Sequence, residues 1–234
     1  MKKIGVLVPS SNTTTEPEFT KMNKLNGNSL HFARIPITHS NLDGLLKMNE
    51  GIDLAAKHLS DANVDAIAYA CTSGSFYGGA GTEKKISNQI SDASNGTPGI
   101  TTSESIYKAL KSLNAQKITV VTPYIDDLNS REKQFLEEYG FDVLKIQGLG
   151  ILDNLIIGKQ TPEIAHKLVK DNFDPDSEAV FISCTNFSAI EAIEKLEEEL
   201  NVPVFSSNSC TFWNTIRTIG INDPIKGYGR LLET

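Results

Sequence analysis

Two cysteines sit in near-identical settings. Cys71 opens the run C-T-S-G-S and Cys184 opens C-T-N-F-S. Each follows a short apolar run, A-I-A-Y-A before the first and A-V-F-I-S before the second. A thiol at the end of a buried strand, followed by hydroxyl and amide groups, is placed to act as nucleophile or as acid and base. If a helix begins there, its positive end lowers the thiol pKa, and both cysteines are expected to be activated in that way. A lone free cysteine is more often a small core residue. Two in equivalent positions, each followed by threonine, favour chemistry. Cys210 has no such counterpart, lies at the start of a predicted helix and reads as packing.

Other polar residues cluster at strand ends. Asn12 lies in P-S-S-N-T-T, where it either caps the first helix or donates to a carboxylate or oxyanion. Tyr124 occupies the place in T-P-Y that Ser10 holds in V-P-S, and its phenol can donate to a carboxylate. Asn154 follows G-I-L-D, and Asp153 beside it reads as a cap. The histidines, His31, His39, His58 and His166, are not spaced for metal ligation. H-E-x-x-H, C-x-x-C and Walker patterns are absent, so the site is expected to use neither metal nor cofactor. Gly78-Gly79-Ala80-Gly81 lacks dinucleotide-fingerprint spacing and is expected to form a loop over the site.

These residues need a frame to bring them together. Apolar runs predict strands at Ile4–Val8, His31–Ile35, Ala66–Ala70, Pro98–Thr101, Ile118–Thr122, Asp142–Ile146, Ala179–Ser183 and Val202–Ser206. Between them, helical patterns cover Leu45–Ser60, Ser105–Leu113, Asn129–Tyr139, Pro162–Asn172 and Ala189–Leu200. Such alternation predicts an α/β fold with parallel sheets. The pattern also repeats. K-I-G-V-L-V-P at 3–9 matches K-I-T-V-V-T-P at 117–123, and A-I-A-Y-A-C-T at 66–72 matches A-V-F-I-S-C-T at 179–185. T-P-G-I-T-T-S at 97–103 matches V-P-V-F-S-S-N at 202–208. Three matches in the same order predict two similar Rossmann-like halves related by a pseudo-twofold axis. The first half is expected to span 1–102, completed by 211–234, and the second 103–210. Ligands of open parallel sheets bind at the carboxyl ends of strands, so the active site belongs between the halves.

Composition narrows the function further. The 234 residues can bury a substantial core without disulfides, and the net charge of −7 offers no basic stripe for nucleic acid. The apolar run after the N-terminal lysines stops at Pro9, too short for a signal sequence, and no stretch is long enough to span a membrane. Three cysteines, an odd number, fit reduced thiols in a cytoplasmic protein.

P-S-S-N-T-T at 9–14, Y-A-C-T-S-G-S at 69–75, T-P-Y at 122–124, C-T-N at 184–186 and S-S-N at 206–208 resemble the maleate cis–trans isomerases of the aspartate/glutamate racemase superfamily. The likeness runs the whole length, to W-N-T-I-R at 213–217 and G-R-L-L near the end. It implies a cofactor-independent isomerase acting on a small dicarboxylate, maleate to fumarate, and a homodimer. Cys71 looks like the nucleophile and Cys184 like the acid/base partner. Asn12, Tyr124 and Asn154 look like carboxylate binders, with Thr72, Ser73, Thr185 and Asn186 completing the cradle. The alternative is an Asp/Glu/hydantoin-type racemase that uses the two thiols as a two-base pair. Arylmalonate decarboxylases, also similar, lack the first cysteine. Thr15, Phe187-Ser188-Ala189 and Cys210 depart from the family pattern.

Overall fold

The computed structural model describes residues 1–24, 28–37 and 42–234, with the backbone alone for 42 and 43. His39 therefore lies outside the described residues. One parallel sheet contains β1 (Lys3–Pro9), β2 (Ser29–Ile35), β3 (Ala66–Tyr69) and β4 (Gly99–Thr101), in the order β2-β1-β3-β4. The other contains β5 (Lys117–Thr122), β6 (Asp142–Gly148), β7 (Ala179–Ile182) and β8 (Val204–Ser206), in the order β6-β5-β7-β8. The two orders are the same, as the repeat requires. Through the end of the first sheet the helices are α1 (Thr15–Met22), α2 (Leu42–Asn49), α3 (Ile52–Ser60), α4 (Thr72–Phe76), α5 (Thr82–Ala93) and, after β4, α6 (Thr102–Ser112). Those that follow are α7 (Asp126–Glu138), α8 (Asn154–Ile157), α9 (Pro162–Asn172), α10 (Ile190–Leu200) and α11 (Ser207–Thr218), before a 3-10 turn at Arg230–Glu233. Among the described residues no helix is long and apolar enough to cross a membrane.

All eight predicted strands form. The central strands β1, β3, β5 and β7 are apolar on both faces and almost wholly buried, because helices cover the sheet on either side. The edge strands β2 and β6 are half-exposed, so their sequences carry His31, Arg34, Lys145 and Gln147 without penalty. The predicted helix Leu45–Ser60 is two helices, broken at Glu50–Gly51. The break has a steric cause: a Cβ on Gly51 would stand 2.8 Å from Ile35 Cγ2 of β2. The turn it permits brings Asn49 back onto β3, where the Tyr69 phenol donates to its Oδ1 at 2.6 Å.

In each sheet the chain leaves the first strand to one side for the second and to the other side for the third. Such a reversal opens a crevice beyond the carboxyl ends of the strands. Asn12 and Cys71 follow the ends of β1 and β3, and Tyr124 and Cys184 follow those of β5 and β7.

The two sheets join through the helices that follow their last strands. Thr101 caps α6 by accepting from the Glu104 N–H, and Ser206 caps α11 in a reciprocal box with Ser209. The third sequence match is therefore a strand-cap-helix unit used twice. α6 and α11 pack on each other through small polar residues. Thr211 Oγ1 donates to Thr102 Oγ1 at 3.0 Å, and Asn214 Nδ2 to Ser105 Oγ at 3.0 Å. Phe212 of α11 meets Phe19 of α1 edge-on at 5.4 Å. One large apolar core runs through both halves, from Ile4, Val6 and Val8 to Phe181, Phe205 and Phe212, and a smaller one lies under α2, α3 and α5.

Glu18 of α1 reaches across to cap α10. Its Oε1 accepts from the N–H groups of Ala189 at 2.8 Å and Ile190 at 3.3 Å, and its Oε2 accepts from Asn208 Nδ2 at 2.7 Å. Burial nonetheless pushes its pKa from 4.5 up to about 7. An unfolded chain ionises near 4.5 while the folded one does not, so Glu18 costs stability as pH rises through that window. The difference in unfolding free energy, wild type minus Glu18→Gln, is expected to fall between pH about 4.5 and about 7 and to level off above it. Denaturant titrations at several pH values measure this, and a difference independent of pH would refute it.

Candidate active site

Eleven residues line one small cavity between the sheets: Pro9, Asn12, Ile37, Cys71, Thr72, Ser73, Tyr124, Asn154, Cys184, Thr185 and Asn186. All nine residues singled out in the sequence are among them. Among the described residues, no lining side chain carries a formal charge. The cavity measures about 20 Å³, little more than one water occupies by the usual criterion of roughly 10–15 Å³.

The cysteines come from equivalent places but stand differently. Cys71 is the extended N-cap residue of α4, with φ −145°. Cys184 has φ +91°, in the left-handed region that side chains avoid. Such a conformation costs about 1–3 kcal/mol and is kept only where surrounding bonds impose it. Here the Cys184 N–H donates to Ser207 Oγ at 3.0 Å, and the Asn186 N–H donates to Cys184 Sγ at 3.4 Å. No helix starts directly at Cys184, since α10 begins only at Ile190.

Each thiol has a tyrosine. Tyr124 reaches Cys184 from the end of β5, and Tyr69 reaches Cys71 from two residues earlier in its own strand. The sequence reading missed Tyr69. Strand alternation does carry the signal, because residues two apart face the same side of a sheet. Met48 and Asn49 were also missed, since only the break between α2 and α3 delivers them. Gly74 shows how tight this corner is. A Cβ there would lie 2.4 Å from Tyr69 Oη, 2.9 Å from Cys71 Sγ and 2.9 Å from Met48 Cε.

The expected lowering of the thiol pKa values is overturned. Burial pushes Cys71 up to about 11, against donors at the Gly74 N–H and the Ser73 and Tyr69 side chains. Burial pushes Cys184 up to about 12, against Tyr124 and the Asn186 N–H. A short helix and a few donors do not repay the desolvation of a thiolate. The resting pair is therefore neutral, and a Cys71 thiolate would raise Cys184 further because both face the same cavity.

Asn12 takes the helix-start role considered for it. Its Oδ1 accepts from the Thr14 and Thr15 N–H groups at 2.9 Å each, which caps α1. Its Nδ2 turns to the cavity wall, donating to Thr15 Oγ1 at 3.0 Å and Thr185 Oγ1 at 3.2 Å. Asn154 Nδ2 donates to Ser11 Oγ at 2.7 Å, and Asp153 caps α8 as expected. Asn186 Nδ2 donates to the Asn154 carbonyl at 2.7 Å, while its Oδ1 accepts from the Thr13 N–H at 2.9 Å. Thr185 Oγ1 donates to the Ala70 carbonyl at 3.1 Å, and Thr72 Oγ1 donates to Ser207 Oγ at 2.9 Å. Each half thus fastens the other's strand ends. The first amides of α4, at Thr72 and Ser73, have no acceptor within the helix and border the cavity.

Thr15 makes use of its departure from the family pattern. Its hydroxyl bonds the Thr185 carbonyl at 3.1 Å and Asn208 Oδ1 at 3.2 Å. Cys210 packs in the core with its thiol donating to the Ser207 carbonyl at 3.3 Å. The Gly78–Gly81 loop does not cover the cavity. Gly78 and Gly79 border a different depression, beside Tyr77, Arg131 and Phe135, because α4 carries the chain away from the strand ends.

The sequence matches the arylmalonate decarboxylase family over residues 4–232. The chain belongs to that family. A maleate isomerase of Geobacillus stearothermophilus is 30% identical over 243 residues, covering 99% of this chain and 97% of its own. A maleate isomerase structure from Pseudomonas putida, a cysteine-to-alanine variant with maleate, superposes with a TM-score of 0.95 at 26% identity, covering 99% of this chain and 97% of that one. A Nocardia farcinica maleate cis–trans isomerase, a cysteine-to-serine variant with a covalently bound succinylcysteine intermediate, superposes with a TM-score of 0.94 at 25% identity, covering 99% and 98%. Within the family, the chain is an isomerase-type enzyme.

Two substitutions test the Cys71 corner. Tyr69→Phe removes a donor to the thiolate, so iodoacetamide labelling of Cys71, followed by peptide mass spectrometry, is expected to shift to pH above the about 11 midpoint. Gly74→Ala favours the helix but crowds Tyr69 and Cys71, and is expected to cost about 1–3 kcal/mol in denaturant unfolding.

Proposed function

We propose that the enzyme interconverts the cis and trans isomers of a small dicarboxylate, maleate to fumarate, through a covalent adduct on Cys71 with Cys184 as acid and base. The observation that carries this reading is the convergence of both thiols on one uncharged cavity lined with neutral donors.

The chemistry balances without a cofactor. The Cys71 sulfur, as thiolate, forms a bond to one alkene carbon. The π electrons move onto the second carbon and its carboxylate. Cys184 gives its proton to that second carbon and becomes thiolate. The former double bond is now single and rotates. Cys184 takes a proton back from the second carbon, the alkene reforms, and the carbon–sulfur bond breaks to release the trans diacid.

Charge develops on a carboxylate in the step that forms the adduct. Preorganised neutral donors stabilise such charge at little reorganisation cost. The Tyr124 phenol, Asn154, Asn186 and the amides of Thr72, Ser73 and Thr185 serve as these donors, joined by Asn12 Nδ2 when it exchanges one of its bonds to Thr15 and Thr185 for the carboxylate. With the resting thiols raised to about 11 and about 12, the Cys71 proton passes to solvent as the substrate seats and these donors close on it, and it returns from solvent when the product leaves. In this reading the site lies between residues 1–102, completed by 211–234, and residues 103–210. The racemase alternative draws no support, because an amino acid substrate requires an anionic partner for its ammonium group and the lining side chains described here are uncharged.

Proton NMR of maleate with the enzyme is expected to show fumarate appearing. Cys71→Ala is expected to lose on the order of 10⁴-fold or more in turnover, as removal of a covalent nucleophile generally does. In Cys184→Ser, mass spectrometry is expected to find a succinyl adduct on Cys71. Neither fumarate nor adduct under these conditions would sink the proposal.

A further inference from the structure

Glu132 is a buried acid that the reaction above does not use. It lies on α7, 1% exposed, with its side chain against the end of β7. Ser183 Oγ donates to its Oε1 at 2.5 Å, and its Oε2 is buried without a hydrogen-bond partner. Ser183 immediately precedes Cys184, the residue held at φ +91°. A negative charge on Glu132 acts on both Cys184 and Tyr124, raising the pKa of each.

We propose that Glu132 is a positioning residue for Cys184: through the Ser183 hydroxyl it fixes the left-handed turn that aims the thiol, and it does so as an uncharged acid whose ionisation disables the proton step. The proposal rests on the role assigned to Cys184 above.

Among the described residues, the surroundings supply no cation to hold a carboxylate. From β7, Glu132 meets Ser183 and Cys184, and from the end of β5 it meets Tyr124, with Cys71 beyond them across the cavity. α4 brings Phe76 against Phe135 and has no ionisable side chain, while Tyr77 at its end lies under the Arg131 guanidinium. On α7 the charged groups point outward, where Arg131 pairs with Asp127 and Lys133 with Glu137. Glu83 of α5 is engaged by Tyr139, and Asp142 and Lys145 of β6 are exposed. Burial accordingly pushes Glu132 from 4.5 up to about 8, with only the Ser183 bond acting against it.

Neutrality suits the task. After giving up its proton, Cys184 is a thiolate facing a dianionic substrate. A third negative centre behind it would oppose proton donation and anion binding together. An unpaired buried acid carries an unsatisfied oxygen, a cost that a purely structural position would shed by using glutamine or an apolar residue.

The test compares kcat/KM for maleate in the wild type, Glu132→Gln and Ser183→Ala across the neutral to alkaline range. The ratio of Glu132→Gln to wild type is expected to be flat below pH about 8 and to rise about tenfold per unit well above it, since one ionisation is removed. The thiols titrate higher, at about 11 and about 12, so the rise begins below their range. Ser183→Ala, which removes the bond that favours the ionised form, is expected to lower kcat and move the alkaline fall to higher pH. A ratio independent of pH overturns the proposal.

An infrared readout is independent of activity and of whether the glutamine variant folds. Wild type at neutral pH is expected to show the carbonyl stretch of a buried protonated carboxylic acid that disappears above about 8, and whose frequency Ser183→Ala shifts. Glu18 also titrates high, but it makes no contact with Ser183 and its band does not respond to that substitution. Absence of a Ser183-sensitive band overturns the proposal. A wild type that leaves maleate unchanged but shows the band would defeat the maleate reading and leave the neutral acid standing.

Discussion

The hydrogen bonds that each half makes to the strand ends of the other hold this structure together at the place that matters. Thr185 donates to the carbonyl of Ala70, one residue before Cys71. Thr72, one residue after Cys71, donates to Ser207, which in turn accepts from the N–H of Cys184. Both thiols are thus tied to each other's half through a single intervening residue. These groups are fully buried, so each unmade bond would cost about 1–3 kcal/mol in desolvation. That penalty allows few alternatives to one relative placement of the sheets. The strained backbone of Cys184 is maintained by the same constraint.

Burial serves the site in one respect and burdens it in another. A dry cavity strengthens every donor aimed at a carboxylate. It also raises both cysteines, Tyr69, Tyr124 and Glu132 away from their ordinary values. The resting site is consequently uncharged throughout. Neutral thiols are less reactive than thiolates, so the resting pair is less exposed to adventitious chemistry.

Most of the frame was legible in the sequence. The eight strands are short apolar runs between polar stretches, and the duplicated C-T and P-S/P-Y signatures placed the cavity at the strand ends. Cys71, Cys184, Asn12, Tyr124 and Asn154 were legible for the same reason, since they directly follow those runs or the turns after them. Tyr69, Met48 and Asn49 were not. Tyr69 hides within an apolar strand, and the other two reach the site only because Gly51 breaks a continuous helical pattern against Ile35. Glu132 was unreadable in a different sense. Its helix carries acids at exposed positions throughout, and only the packing of α7 on β7 singles out the one turned inward. The thiol pKa values were misjudged because helix position is visible in sequence and depth of burial is not.

The pairing of the sheets through α6 and α11 puts a single cavity on an approximate axis of symmetry. A butenedioate has two chemically identical ends, and a perfectly twofold site would treat them alike. The chain departs from that symmetry at the tyrosines: Tyr69 closes the strand that leads to its own cysteine, two residues before it, and Tyr124 follows the end of the neighbouring strand β5. One thiol is an extended helix cap and the other sits in a left-handed turn backed by a buried acid. The repeat supplies two equivalent cysteines, and these local differences are what would let the proposed reaction treat the two carbons of a symmetric molecule in opposite ways.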